Sequence, residues 1–199
     1  MKFSSALVVA AFSVALNAYE LNRRNLDSGV SWTGEIVPGK TVTYTGTIQE
    51  VQEQIAAINP DYFETQSNTA GDESGSNIEK RWRQKGAPYC EYGEWMTRTS
   101  AIEGINYLNG NLGGNMMCGA PARTSYGGGC SRISCNWSSE IWLCNDQDVE
   151  IRLPCSEVAS AALELSNVCY WVQQGGMTMT RGQLFTTANW NVILTKGSC

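Results

Sequence analysis

Apolar positions recur along this chain at two periods. Val158, Ala161, Ala162, Leu165, Val168 and Cys169 fall on one side of a 3.6-residue turn, and Glu157, Ser160, Glu164 and Asn167 on the other. That pattern predicts an amphipathic helix buried along one face. Pro154 ends the segment before it, Ser156 is placed to cap it, and Glu157 lies at its positive end. Residues 149–153 alternate at period two, and 131–137 and 140–145 read as short strands, with a turn cluster at 145–148. Residues 183–185 and 191–195 look like a closing hairpin. A shorter helix is expected over 101–108, with Ser100 and Glu103 as its capping pair. Residues 109–129 hold seven glycines and are expected to form a loop. These elements predict an α+β fold, a small disulfide-stabilised α/β sandwich with antiparallel strands packed on one main helix.

The first third of the chain carries its own pattern. Thr41-Val42-Thr43-Tyr44-Thr45 is a strand signal, Thr47 and Glu50 form a capping box, and Ile48, Val51, Ile55 and Ile58 share one helical face before Asn59-Pro60. This strand-helix pair is too small to fold alone. It is expected to pack on the remainder of the chain, as a folding aid or a temporary cover, the alternative being a satellite element that stays attached for good.

Processing signals divide the chain further. Residues 1–18 have the order of a secretory signal peptide: Lys2, an apolar run over 6–16, then small residues. Residues 66–77 are polar and read as an exposed linker. The pair Lys80-Arg81 follows and looks like a kexin-type maturation site; Arg23-Arg24 is a second such pair. The expected organisation is a signal peptide (1–18), a pro-segment (19–81) and a mature domain (82–199).

Composition sharpens this picture. All eight cysteines, Cys90, Cys118, Cys130, Cys135, Cys144, Cys155, Cys169 and Cys199, follow the dibasic pair. In an exported chain they read as a disulfide framework of up to four bridges, with a connectivity that sequence leaves open. Cys118 and Cys130 would tether the glycine-rich stretch. The formal net charge of −5 argues against nucleic acid as a partner, and most of the acidic excess precedes residue 82. No run of apolar residues is long enough for a membrane span. The chain has no histidine, which removes imidazole-dependent nucleophiles and imidazole metal ligands. No cofactor and no metal site is expected.

The runs Cys130-Ser-Arg-Ile-Ser-Cys135, Ile141-Trp-Leu-Cys-Asn-Asp146, Gly182-Gln-Leu-Phe185 and Trp190-Asn-Val192, with the terminal Cys199, resemble a group of small cysteine-rich proteins secreted by filamentous fungi, among them effector candidates. The resemblance covers roughly residues 100–199. Signal peptide, pro-segment and dibasic site also fit killer-type toxins, as an analogy of class. It implies an extracellular, monomeric, non-enzymatic protein that acts on a host protein or cell-wall glycan, and it brings no catalytic residue. The alternatives are an antimicrobial or killer-type toxin and a small carbohydrate-binding protein or glycoside hydrolase.

The residues themselves offer few chemical groups for such roles. Trp142 and Trp190 lie in strand-like runs and are expected in the core. Trp82, Trp95 and Trp171 lie in loop-like contexts and are the candidate recognition residues, since large aromatics stack on sugars and anchor interfaces. The acid pairs Glu91/Glu94 and Asp146/Asp148 are the only carboxylate sets considered for hydrolysis. Asn136-Trp137-Ser138 is an N-glycosylation sequon.

Overall fold

The computed structural model describes residues 29–63, 82–110 and 115–199. The expected signal peptide, the polar linker and both dibasic pairs, Lys80-Arg81 included, lie outside the described residues.

The N-terminal part builds β1 (Gly29–Val37), β2 (Lys40–Gly46) and α1 (Ile48–Ile58). Val30, Trp32 and Ile36 alternate inward along β1, and the indole of Trp32 spreads across the position where Gly34 lacks a side chain. Thr47 caps α1 in a full capping box: its hydroxyl accepts from the Glu50 N–H, and the Glu50 carboxylate accepts from the Thr47 N–H at 2.8 Å. Ile48, Val51 and Ile55 are fully buried, whereas Ile58, at the end of the stripe, is half exposed. Tyr62 packs edge-on against Trp32, and its burial raises the phenol pKa, so it stays neutral.

The remaining elements are β3 (Met96–Thr97), α2 (Arg98–Leu108), β4 (Asn115–Ala120), β5 (Gly129–Asn136), β6 (Ser139–Asn145), β7 (Ile151–Pro154), α3 (Cys155–Val168), β8 (Tyr170–Val172), β9 (Thr178–Thr180), β10 (Gly182–Phe185) and β11 (Trp190–Lys196). They form three sheets of antiparallel neighbours: β2-β1-β4-β7, β10-β11-β6-β5 and the small β3-β9-β8. The fold is mixed α and β, with antiparallel strands as expected. Its packing is shared among three helices rather than resting on one.

Sheet order decides how the two parts of the chain meet. β1 lies inside the first sheet, paired with β2 on one side and with β4 on the other, from Gly29 opposite Gly119 to Thr33 opposite Asn115. The strand-helix pair therefore does pack on the rest of the chain, and it completes a sheet rather than lying over one. α1 also reaches the outer edge of β5. The Gln49 amide donates to Ser134 Oγ at 2.9 Å and accepts from the Cys135 N–H at 2.9 Å. β5 is an edge strand with a register shift between Arg132 and Ser134, and Gln49 satisfies an amide that the ladder leaves open. One apolar cluster runs through both parts, from Trp32 and Ile55 to Leu143, Leu165 and Val192.

Several local expectations need correction. Asn115–Ala120 lies inside the glycine-rich stretch expected to be a loop, yet forms β4, because β1 and β7 flank it and bond to both its edges. α2 begins one turn earlier than expected, at Arg98, and neither Thr97 nor Ser100 makes the expected side-chain cap. α3 follows Pro154 directly, without a cap from Ser156. Val168 is half exposed, while Ala159 and Ser166 join the buried face. Gly104 explains how closely α2 approaches the second sheet: a Cβ there would stand 2.6 Å from Ser134 Oγ.

All eight cysteines pair, as Cys90–Cys169, Cys118–Cys155, Cys130–Cys144 and Cys135–Cys199. Cys118, in the middle of the glycine-rich stretch, and Cys130, just after it, do tether it, one to the start of α3 and one across the β5–β6 ladder. Each bridge stabilises by roughly 2–4 kcal/mol, largely by restricting the unfolded chain. Thiol titration of denatured, unreduced protein is expected to find no reactive thiol.

The shared core makes a second prediction. Ile55→Ala removes a fully buried side chain contributed by the N-terminal part and is expected to cost about 2–4 kcal/mol in urea unfolding. That is the same range as Leu165→Ala on α3. A cost below about 1 kcal/mol for Ile55→Ala alone would show that α1 is not part of the cooperative unit.

Candidate functional site

The largest cluster of exposed aromatic side chains collects around the small sheet. Its anchor is the Cys90–Cys169 bridge, which ties the loop before β3 to the end of α3. The Tyr89 backbone pairs with Gln183 of β10 in both directions, at 2.8 and 3.1 Å, so the loop over 89–95 runs beside β10. Thr180 Oγ1 donates to Cys169 O at 2.7 Å and holds β8 and β9 to the same point. Gly175 and Gly176 adopt positive φ in the turn between those strands.

Arg181 organises the side chains. Its guanidinium lies 4.4 Å from the centre of the Trp95 ring, a cation–π contact, donates to Gly93 O at 3.0 Å and pairs with the Glu91 carboxylate. Trp95 in turn sits 6.2 Å from Trp171, with the planes inclined at 49°. Tyr89 and Tyr92 contact each other at 6.4 Å. All three residues of β8 are exposed, Trp171 at 49%. Met177, in the turn to β9, is exposed beside them. The result is an apolar aromatic surface with a partly buried cation and an exposed carboxylate paired with it at its margin. It is fixed by a disulfide, a cation–π contact and backbone bonds.

Of the three candidate tryptophans, the structure brings Trp95 and Trp171 together and removes Trp82 from the set. Trp82 is 1% exposed and packs edge-on to Trp190 at 5.6 Å, since the backbone of Arg83 and Lys85 bonds to Thr187 and Phe185 beside it. Its flanking charges made it look like a loop residue. Trp190 is in the core as expected; Trp142 is only partly buried, its Nε1–H donating to Glu140 Oε2 at 2.9 Å.

Trp137 was read as the end of a strand, but it is the tip of the β5–β6 hairpin and 79% exposed. Trp137 and Ser138 take φ of 49° and 60°, the pair of positive values that a two-residue primed turn requires and that Asn-Gly ordinarily supplies. Asn136 thus sits at a hairpin end, its Nδ2 donating to Glu103 Oε2 of α2 at 3.0 Å. Ser138 O accepts from the Gly197 N–H, and the adjacent Lys196 N–H donates to Glu94 O. The hairpin tip and the aromatic loop therefore meet the same end of β11.

The acid pairs have structural partners. Glu91 pairs with Arg181, and the Glu94 backbone bonds to Thr195 and Lys196. Asp146 and Asp148 line an open cleft of about 530 Å³ with Arg123, Thr124, Ser125, Gly127 and Gly128. There, Asp148 accepts from Arg123 at 2.6 and 3.3 Å, and Asp146 accepts from Asn191 Nδ2 at 3.0 Å. The hydrogen bond and charge of Asp148 raise the pKa of Arg123 further, so it stays charged. Both carboxylates tie loops together.

Sequence reasoning missed the one acid that is buried among the described residues. Glu140 is 7% exposed; its carboxylate accepts from Arg132 at 3.0 Å and from Trp142 at 2.9 Å. Arg132 also donates to Ser198 O at 2.8 Å, and the Cys135–Cys199 bridge closes the C-terminus over the same spot. A Cβ at Gly197 would stand 2.2 Å from the Glu140 carboxyl carbon. The only sequence signal was its place in an apolar strand, where a lone acid needs a partner. Among the described residues no acidic or cysteine side chains converge to hold a metal, and no helix is long and apolar enough to cross a membrane.

The fold and the site define a cysteine-rich, four-disulfide α and β domain with a rigid aromatic surface. The chain matches no known family model, no curated protein and no solved structure.

Glu140→Ala leaves Arg132 and Trp142 without their acceptor. It is expected to lower the free energy of unfolding by about 3 kcal/mol, and Glu140→Gln, which keeps the Trp142 bond, by less. Chemical denaturation of the two variants side by side checks the order.

Proposed function

We propose that this is a secreted fungal effector-type protein that binds a host component outside the cell through the aromatic surface around Trp171. The observation that carries this reading is the combination of exposure and rigidity: Trp171, Tyr89 and Tyr92 are exposed, and Trp171 contacts the partly buried Trp95, around a disulfide and the Arg181 cation–π contact. Exposing such area has a cost in water, and aromatic side chains already fixed in place lose little further freedom on binding. Four bridges and the resemblance to secreted cysteine-rich fungal proteins support the compartment. A sandwich-like layering of sheets on helices, as in effectors and killer-type toxins of this size, belongs to the same reading.

A second reading, a cell-wall carbohydrate binder, is favoured by the Glu91–Arg181 pair beside the tryptophans. Sugar recognition combines aromatic faces with planar polar groups at their rim.

Leaf infiltration of wild-type protein and Trp171→Ala tests the first reading. The variant is expected to need at least about a tenfold higher dose for the same tissue response, with an unchanged melting temperature. Equal potency would take the aromatic surface out of the function. Retention of wild type but not of Trp171→Ala on insoluble chitin or β-glucan would move the assignment to the second reading. Killing of fungal or bacterial cultures without any leaf response would replace both with a toxin.

A further inference from the structure

The pattern of a pro-segment suggests a piece that leaves after cutting. We infer instead that residues 29–63 are a permanent, non-covalent subunit: a cut anywhere between residues 63 and 82 yields a two-chain protein, with the N-terminal chain retained in its sheet.

Three independent features of the interface lead there. The first is sheet order. β1 has β2 on one edge and β4 on the other, so its departure would strip β4 of the five-residue ladder from Asn115 to Gly119. β4 would keep only the short pairing with β7, and a bare strand edge invites association with other chains. The second is burial. Trp32, Ile48, Val51 and Ile55 have no exposure at all, and they belong to the apolar cluster that includes Ile105, Ile133 and Leu143 of the C-terminal part. Release would open that cluster to water on both sides. The third is polar. Gln49 bonds to both Ser134 and Cys135, a paired contact that fixes α1 at one position along the edge of β5.

Both flanks of the cut are anchored as well. Tyr62 packs on Trp32, and Trp82 is buried against Trp190. No cysteine precedes Cys90, so nothing covalent would join the two chains after the cut.

The same geometry bears on the idea of a temporary cover. Tyr89, Trp171 and Met177 are exposed with residues 29–63 in place. The main contacts between elements of the N-terminal part and the rest of the chain are to β4, β5 and α2. Retention therefore leaves the aromatic surface open.

The experiment uses the full secreted chain with a site-specific protease sequence in place of residues 77–81. A denaturing gel without reductant establishes complete cutting. Native size-exclusion chromatography followed by mass spectrometry is then expected to find both fragments in one peak at equal amounts, including after dilution to nanomolar protein. A peak holding the 82–199 fragment alone, with a folded circular dichroism spectrum, would overturn the inference. Hydrogen exchange on the uncut protein provides a second readout that needs no cut. The protected amides of β1 and α1 are expected to exchange within about tenfold of those in β6 and β11. Exchange a thousandfold faster in β1 and α1 would mark a separable cover and likewise overturn it.

Discussion

Much of this molecule depends on the position of one strand. β1 enters the first sheet between β2 and β4, and its inward residues Val30, Trp32 and Ile36 supply the floor on which α1 rests. Because β1 hydrogen-bonds on both edges, the N-terminal part and the cysteine-bearing part share a sheet as well as a surface. Their apolar side chains then form one cluster. A core of this size owes its stability to area removed from water, and that area is continuous across the junction. Gln49 adds the direction: its two bonds to β5 select one register for α1, where apolar contacts alone would allow several.

The disulfides act on a different region. None involves the N-terminal part, and together they fix the segments least able to fix themselves. The loop before β3, the glycine-rich stretch and the C-terminus are each tied to a strand or to a helix end. The division of labour follows from chemistry. Long apolar elements hold through burial, whereas glycine-rich and short irregular segments have little side chain to bury and must be restrained through the chain itself. The aromatic surface is a product of that restraint. Cys90–Cys169 brings the loop of Tyr89 to Trp95 to the start of β8, and Arg181 then links Glu91, Gly93 and Trp95.

The buried polar groups show how a small fold manages functional-looking residues that have structural roles. Glu140 is enclosed with Arg132, Trp142 and the C-terminal residues, and the paired acids of the 146–148 turn are held by Arg123 and Asn191. In a chain without histidine the two acids of that turn drew attention as possible catalysts, whereas Glu140 did not. In the folded protein each has a donor within hydrogen-bonding distance and a loop or terminus that it secures. Among the exposed large side chains are the aromatics Trp171, Tyr89, Tyr92 and, at its hairpin tip, Trp137.

Periodicity by itself placed the three helices of the described residues, the strands β5 and β6 and the β10–β11 hairpin, and composition indicated that every cysteine pairs, because these depend on neighbours within a few turns or on composition alone. The α1 capping box was legible to the residue. β1 was not read from the sequence: Val30, Trp32 and Ile36 alternate, but Gly34 interrupts the pattern at the point where the Trp32 ring occupies its space. β4 was hidden by the glycines around it, and its strand conformation comes from β1 and β7, which are distant in sequence. The fate of each tryptophan was equally non-local. Trp82 is buried by the loop after β10 and by Trp190, and Trp95 meets Trp171 only because a disulfide and a guanidinium bring their loops together. Local sequence sets which segments can be helix or strand. Which aromatic faces water, and whether the N-terminal part is a leader or a subunit, depends on contacts between segments tens of residues apart, and only the tertiary structure holds those.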